Sequence, residues 1–155
     1  MRKKPSEFVQ KSYNINNQSG IDKMIPYLIS NGYDVPHKEE DYGVDIIAFK
    51  NGVEHRFEIE IKNTEFTDRE SYPWDTVSFL SRKQKMAYDE PFWYVLISPV
   101  TDWFLFCDST TIYQKQYREK IHIDTLYRKG DDYFYRVPKE LCNFRNLKLC
   151  QEKKK

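Results

Sequence analysis

Lys50-Asn51-Gly52-Val53 stands between two runs rich in apolar residues. An Asn-Gly pair in that position commits the chain to a two-residue hairpin, because both turn positions need positive φ. Lys50 then pairs with Val53, and every further pair keeps the same sum of residue numbers. Asp45 falls opposite Glu58. Along the second strand, Arg56-Phe57-Glu58-Ile59-Glu60-Ile61-Lys62, charged and apolar residues alternate. Alternate side chains share a face, so Asp45, Glu58, Glu60 and Lys62 point to one side and Phe57, Ile59 and Ile61 to the other.

Carboxylates gathered on one wall repel, and at least one must take up a proton unless a cation joins them. Oxygen ligands with few other donors suit Mg²⁺ or Mn²⁺, which keep several waters and bind phosphate through the remaining positions. A lysine beside such an ion can stabilise charge developing at phosphorus or help deprotonate a water. Alternation alone also describes an exposed strand with ordinary pairs such as Glu58 with Arg56 or Lys62, each worth little. Asp45 distinguishes the two cases: it follows Gly43-Val44 in an otherwise apolar strand, where an aspartate has no ordinary solvent role.

Around the hairpin, Ile21, Met24, Ile25, Leu28 and Ile29 recur at helical spacing, with Ser19 as an N-cap and Asn31-Gly32 as a stop. Pro26 inside this stretch predicts a kink or a late start. Tyr33-Asp34-Val35-Pro36 reads as a short edge strand. Ser81 caps a second helix carrying Arg82 to Tyr88, which Pro91 stops. Phe92 to Ser98 and Trp103 to Cys107 are aromatic and β-branched and read as buried strands. A helix near Thr111 to Arg118, a strand near Tyr133 to Val137 and a closing helix from Lys139 complete the chain. The order predicts an α/β (α+β) fold with one central mixed sheet flanked by helices.

Absence of repeats and long linkers predicts one domain over residues 1–155, with flexible basic termini at about 1–8 and 150–155. Acids and bases nearly cancel, at a net charge of +1, so a polyanionic partner must be held by a local basic patch. Cys107, Cys142 and Cys150 are odd in number and lack zinc-ribbon spacing, which predicts reduced thiols. His37, His55 and His122 lack the spacing of a zinc motif. No apolar run approaches a membrane span, and Pro5-Ser6-Glu7 follows the charged start where a secretory signal would be apolar, so a cytoplasmic location is expected.

Asp45 after Gly43-Val44, followed on the adjacent strand by Glu60-Ile61-Lys62, resembles the signature of the PD-(D/E)XK nuclease superfamily. The resemblance spans roughly Ile21 to Ser98 and implies a restriction-endonuclease-like core of order αβββαβ with C-terminal additions. It implies a Mg²⁺- or Mn²⁺-dependent nuclease, endo or exo undetermined, acting on DNA more than RNA. Asp45, Glu60 and Lys62 take the catalytic roles. Asp45, Glu60 and the Ile61 carbonyl take the metal, with Glu58 and Asp22 as further ligands. Gln84 and Tyr88 have the Gln-x-x-x-Tyr spacing seen after the lysine motif in RecB-like and phage exonuclease members. Arg82, Lys83, Gln84 and Tyr88 therefore stand as substrate-binding residues, with Trp74 in the preceding loop available for stacking.

Two other classes remain open: a catalytically silent nucleic-acid-binding protein that keeps the fold, and an assembly factor using the aromatic strands from Phe92 to Phe106 as an interface. A homodimer or other protein partner is compatible with each.

Overall fold

The computed structural model describes residues 7–36, 44–126 and 129–148. The first helix, α1 (Glu7–Ser30), begins well before Ser19, which lies inside it rather than capping it. Once later turns are anchored by packing, propagation through the polar Asn14 to Gln18 segment costs less than nucleation. Pro26 is carried within the helix on an exposed position. The helix ends as predicted at Asn31-Gly32. Gly32 has φ +89°, and the Tyr33 N–H donates to the Leu28 carbonyl at 3.0 Å while Gly32 N–H donates to Ile29 at 3.1 Å. That pattern is a Schellman stop, which favours glycine at the left-handed position.

Strands β1 (Ile46–Lys50) and β2 (Val53–Ile61) form the predicted hairpin, with φ of +53° at Asn51 and +77° at Gly52. Lys50 faces Val53 and Ile46 faces Phe57, the register the turn dictates. The edge strand shrinks to one bridge between Asp34 and Phe49, so the three-stranded meander is reduced to the hairpin. β2 pairs in parallel with β4 (Trp93–Ile97), which continues antiparallel to β5 (Trp103–Asp108) and then β8 (Asn143–Asn146). The result is a mixed five-stranded sheet of order β1-β2-β4-β5-β8.

A second sheet was not expected. Strands β3 (Thr76–Leu80), β6 (Arg118–Asp124) and β7 (Lys129–Pro138) form a three-stranded sheet of order β3-β7-β6. A short 3-10 turn at Ser81–Lys83 leads into α2 (Gln84–Asp89), and the helix predicted near Thr111 to Arg118 is reduced to a single turn, α3 (Ser109–Ile112). A 3-10 turn at Lys115–Tyr117 then runs directly into β6. Asp108 caps α3 by accepting from the Thr111 N–H at 2.8 Å. Ser81 makes no such cap. The closing helix from Lys139 is one 3-10 turn before β8.

Two apolar cores result, one on each face of the large sheet. On one face Met24 and Leu28 of α1 meet Ala48, Phe57, Ile59, Val95 and Ile97. On the other, Tyr94, Leu96 and Leu105 meet Val77, Phe79, Tyr135 and Val137 of the second sheet. The large sheet is thus covered by a helix on one side and mainly by strands on the other, not by helices on both. Most of the aromatic strand pair is consumed in these cores: Phe92, Tyr94, Phe104 and Leu105 are buried within the one chain, with Trp93 and Phe106 half-buried. Cys107 and Cys142 are free and buried. Cys150, His37, the segment 1–6 and the segment 149–155 lie outside the described residues, while Glu7 already belongs to α1. No helix among the described residues is long and apolar enough to cross a membrane.

Candidate active site

The pleat of β2 sends Phe57, Ile59 and Ile61 towards α1 and Glu58, Glu60 and Lys62 towards the second sheet. Gly20 makes the first contact explicit, since a Cβ built there would lie 3.0 Å from Ile59 Cγ2 and 3.3 Å from Ile61 Cγ1. The charged face of the hairpin is therefore not an outer surface. It looks into the gap between two sheets, where Glu58 is only 4 % exposed.

Each carboxylate is held differently. Asp45 stands one residue before β1 and accepts a hydrogen bond from the Ile59 N–H at 2.8 Å, extending the hairpin ladder by a side chain. Glu58 accepts from Lys83 Nζ through one oxygen. Its other oxygen, Oε2, is buried and meets no hydrogen-bond donor among the described residues, while the Asp45 carboxyl lies close enough to share a proton with Glu58. Burial, and then the neighbouring Asp45 carboxylate, raise the Glu58 pKa from the ordinary 4.5 to about 7 against the opposing pull of Lys83. Glu60 accepts from the Tyr94 hydroxyl at 2.8 Å. Burial and then Glu60 hold the Tyr94 phenol well above its usual value, so it stays a donor. Burial lowers the Lys62 pKa, with Glu60 acting the other way.

A cleft of about 600 Å³ opens between the end of β2 and the second sheet. Glu60, Ile61 and Lys62 line its near wall, and Thr76, Ser78 and Arg136 line the far one. Trp74 stands at its edge. Asp45 and Glu58 lie outside that lining, deeper along the hairpin.

The structure brings Asp45, Glu58, Glu60 and Lys62 to one sheet face and separates the remaining predicted residues from them. Asp22 sits on α1, across the sheet, exposed and accepting from Gln18 Nε2 at 2.9 Å. Lys83 is turned inward to Glu58 rather than presented to a ligand. Gln84 accepts from the Tyr135 hydroxyl at 2.8 Å. Tyr88 points to solvent at 76 % exposure, and Arg82 is also exposed. The 3-10 turn and α2 thus join the hairpin to the second sheet through Lys83 and Gln84, which the resemblance set apart as substrate-binding residues. Tyr94 was missed as a site residue. Its position opposite Glu58 in the parallel β2–β4 register puts it on the charged face, but that register depends on a crossover the sequence does not specify.

No family model matches this chain, and no curated protein matches it. Among solved structures, Hjc of Archaeoglobus fulgidus, a Holliday junction resolvase from an archaeal hyperthermophile, is similar at a TM-score of 0.49 and 8 % identity. The match covers 80 % of this chain and 89 % of that one. At that score and identity, function has to be read from the site itself.

Among the described residues, no three His, Cys, Asp or Glu side chains come close enough to enclose a cation. Mg²⁺ does not need such a cage, since it is commonly bound by one or two carboxylates and completed by water and phosphate. The residues fit that mode. A buried carboxylate oxygen that meets no donor among the described residues, Glu58 Oε2 beside the Asp45 carboxyl, is the kind of acceptor a hard cation satisfies.

Proposed function

We propose that the protein is a divalent-cation-dependent nuclease that hydrolyses phosphodiester bonds in DNA, with Asp45, Glu60 and Lys62 at its centre, as the likeness of its Asp…Glu-x-Lys pattern to the PD-(D/E)XK superfamily implies. The observation that carries it is the pairing of Glu60 and Lys62 on one wall of a polar cleft, the first fixed by Tyr94 and the second made more acidic by burial.

Asp45 and Glu60 would hold Mg²⁺ or Mn²⁺, with the Ile61 carbonyl and Glu58 as auxiliary oxygens. When bound, the cation supplies Lewis-acid polarisation of a phosphate oxygen and acidifies a water. Tyr94 orients Glu60 by donating to one of its oxygens and leaves the other for the site. The hairpin turn fixes the spacing of Asp45 from β2, and the Ile59 N–H fixes its carboxylate. Lys62 Nζ supplies positive charge where the phosphoryl group gains negative charge, and its lowered pKa eases proton exchange with the attacking water.

The test is cleavage of plasmid and linear DNA in Mg²⁺ by the wild type and by Asp45→Asn, Glu60→Gln and Lys62→Met. Loss of about 100-fold or more in each is expected for groups acting on the transition state. Equal rates in all four proteins reject the site. One observation favours a second reading, a nucleic-acid-binding protein without turnover: Lys83 already supplies a positive charge to Glu58. In that case DNA binds in the presence of Mg²⁺ and no cleavage is seen.

A further inference from the structure

The far wall of the cleft belongs to the second sheet, and the activity proposed above gives it no task. Arg136 lies directly across the β3–β7 ladder from Ser78, and both line the cleft with Thr76. The Arg136 guanidinium meets Glu119 at 3.3 Å, a pair whose side chains are 42 % and 51 % exposed. Such a pair exchanges readily for a better anion. Lys62 lines the same cleft from the large sheet, so each sheet contributes one cation, and the Thr76 and Ser78 hydroxyls lie on the Arg136 side.

Trp74 is 55 % exposed at the cleft edge, an unusual place for a large apolar ring. It is not loose. Its ring packs edge-on against Tyr72 at 5.8 Å, and Tyr72 is itself buried against Phe66 and Phe144. The loop that carries both, from Lys62 to Asp75, is stapled to the second sheet's end. Lys139 Nζ donates to the Arg69 and Tyr72 carbonyls at 3.0 and 3.2 Å, and Arg69 donates to the Cys142 carbonyl at 2.8 Å. An exposed indole held by a buried aromatic on a fixed loop is a preorganised stacking platform.

We infer that the cleft binds an unpaired DNA strand, with a base stacked on Trp74 and a backbone phosphate between Arg136 and the hydroxyls of Thr76 and Ser78. The inference rests on the nuclease reading only for the class of ligand; the preference for an unpaired strand comes from the exposed Trp74 ring at the cleft. Stacking requires a free base face, which a paired base buries in its own helix. Cationic donors on both walls suit phosphate, and hydroxyl and amide groups suit base edges.

The experiment is binding of fluorescein-labelled oligo(dT) of about ten nucleotides, and of a duplex of equal length, in EDTA so that no cleavage occurs. Anisotropy is expected to show the single strand bound about tenfold or more tightly than the duplex, with quenching of tryptophan emission. Trp74→Ala is expected to lose about tenfold in oligo(dT) affinity and most of the quenching, and Trp74→Phe to recover most of the affinity. Arg136→Gln should weaken single-strand binding and reduce its salt dependence by about one counterion. Urea midpoints equal to wild type confirm that these exposed positions leave the fold intact. Equal affinity for duplex and single strand, or full affinity in Trp74→Ala, overturns the inference. Cleavage in Mg²⁺ that persists alongside such a result leaves the nuclease reading standing; intact Trp74-dependent binding without cleavage does the reverse.

Discussion

Replacing Glu58 by glutamine should flatten the dependence of stability on pH. In the folded protein the Glu58 carboxyl is raised to about 7 by burial and by Asp45, from the ordinary 4.5 that it recovers on unfolding. Between those values the native state holds a proton that the unfolded state has lost. Stability therefore falls as pH rises through this window and levels off above it. At ~1.4 kcal/mol per pH unit the full span is worth about 3 kcal/mol, an upper figure because the Glu58 proton is coupled to the neighbouring Asp45 and Lys83 charges. Glutamine keeps the shape and cannot ionise. Relative to wild type, Glu58→Gln should gain about 2–3 kcal/mol between pH 5 and pH 8. Urea denaturation at pH 5, 6.5 and 8, with ΔG from the midpoint and slope, reads this directly. Parallel profiles for the two proteins would mean that Glu58 is not the buried proton acceptor described, and would remove the reason for placing a cation beside it.

Manganese should raise the melting temperature of wild type at pH 8, and Glu60→Gln should lose that shift more completely than Glu58→Gln; calorimetric titration giving the reverse order would reassign the principal ligand. Asp45→Ala should cost about 1–3 kcal/mol in urea because the Ile59 N–H loses its acceptor, while Asp45→Asn, which keeps a carbonyl oxygen, should cost less. Lys83→Met should destabilise the protein by a few kcal/mol at pH 8 and by less at pH 5, where Glu58 takes up a proton, and equal losses at both pH values would contradict the pairing. Gly52→Ala should cost about 1–2 kcal/mol with no packing contribution, because φ is +77° and, among the described residues, no atom beyond its chain neighbours lies within 4 Å of the added carbon.

The hairpin and its facing carboxylates were legible because Asn51-Gly52 makes register a local property. Two residues with positive φ determine every pair from Lys50–Val53 to Ile46–Phe57. The environment of that face was not local. Alternation in β2 separates two faces but does not say which will be covered, or by what, and the cover comes from strands tens of residues further on. β6, Arg118 to Asp124, carries four formally charged residues and no strong apolar alternation, since both its faces are largely exposed. Its edge position hid it from a hydrophobicity reading. For the same reason Lys83 looked like a free surface cation: its partner Glu58 lies 25 residues earlier in the chain, across a gap that exists only once the second sheet forms. Gln84 shows the converse, a spacing that suggested ligand contact and instead serves Tyr135.

The staple at Lys139 carries a mechanical consequence. Its ammonium ties down the loop bearing Trp74, and its backbone N–H holds the Asp75 carbonyl at 2.9 Å. One residue thereby sets the gauge between a wall that comes from the hairpin and a wall that comes from the second sheet. Shortening that tie would change how wide a strand the cleft admits while leaving every group on its near wall untouched.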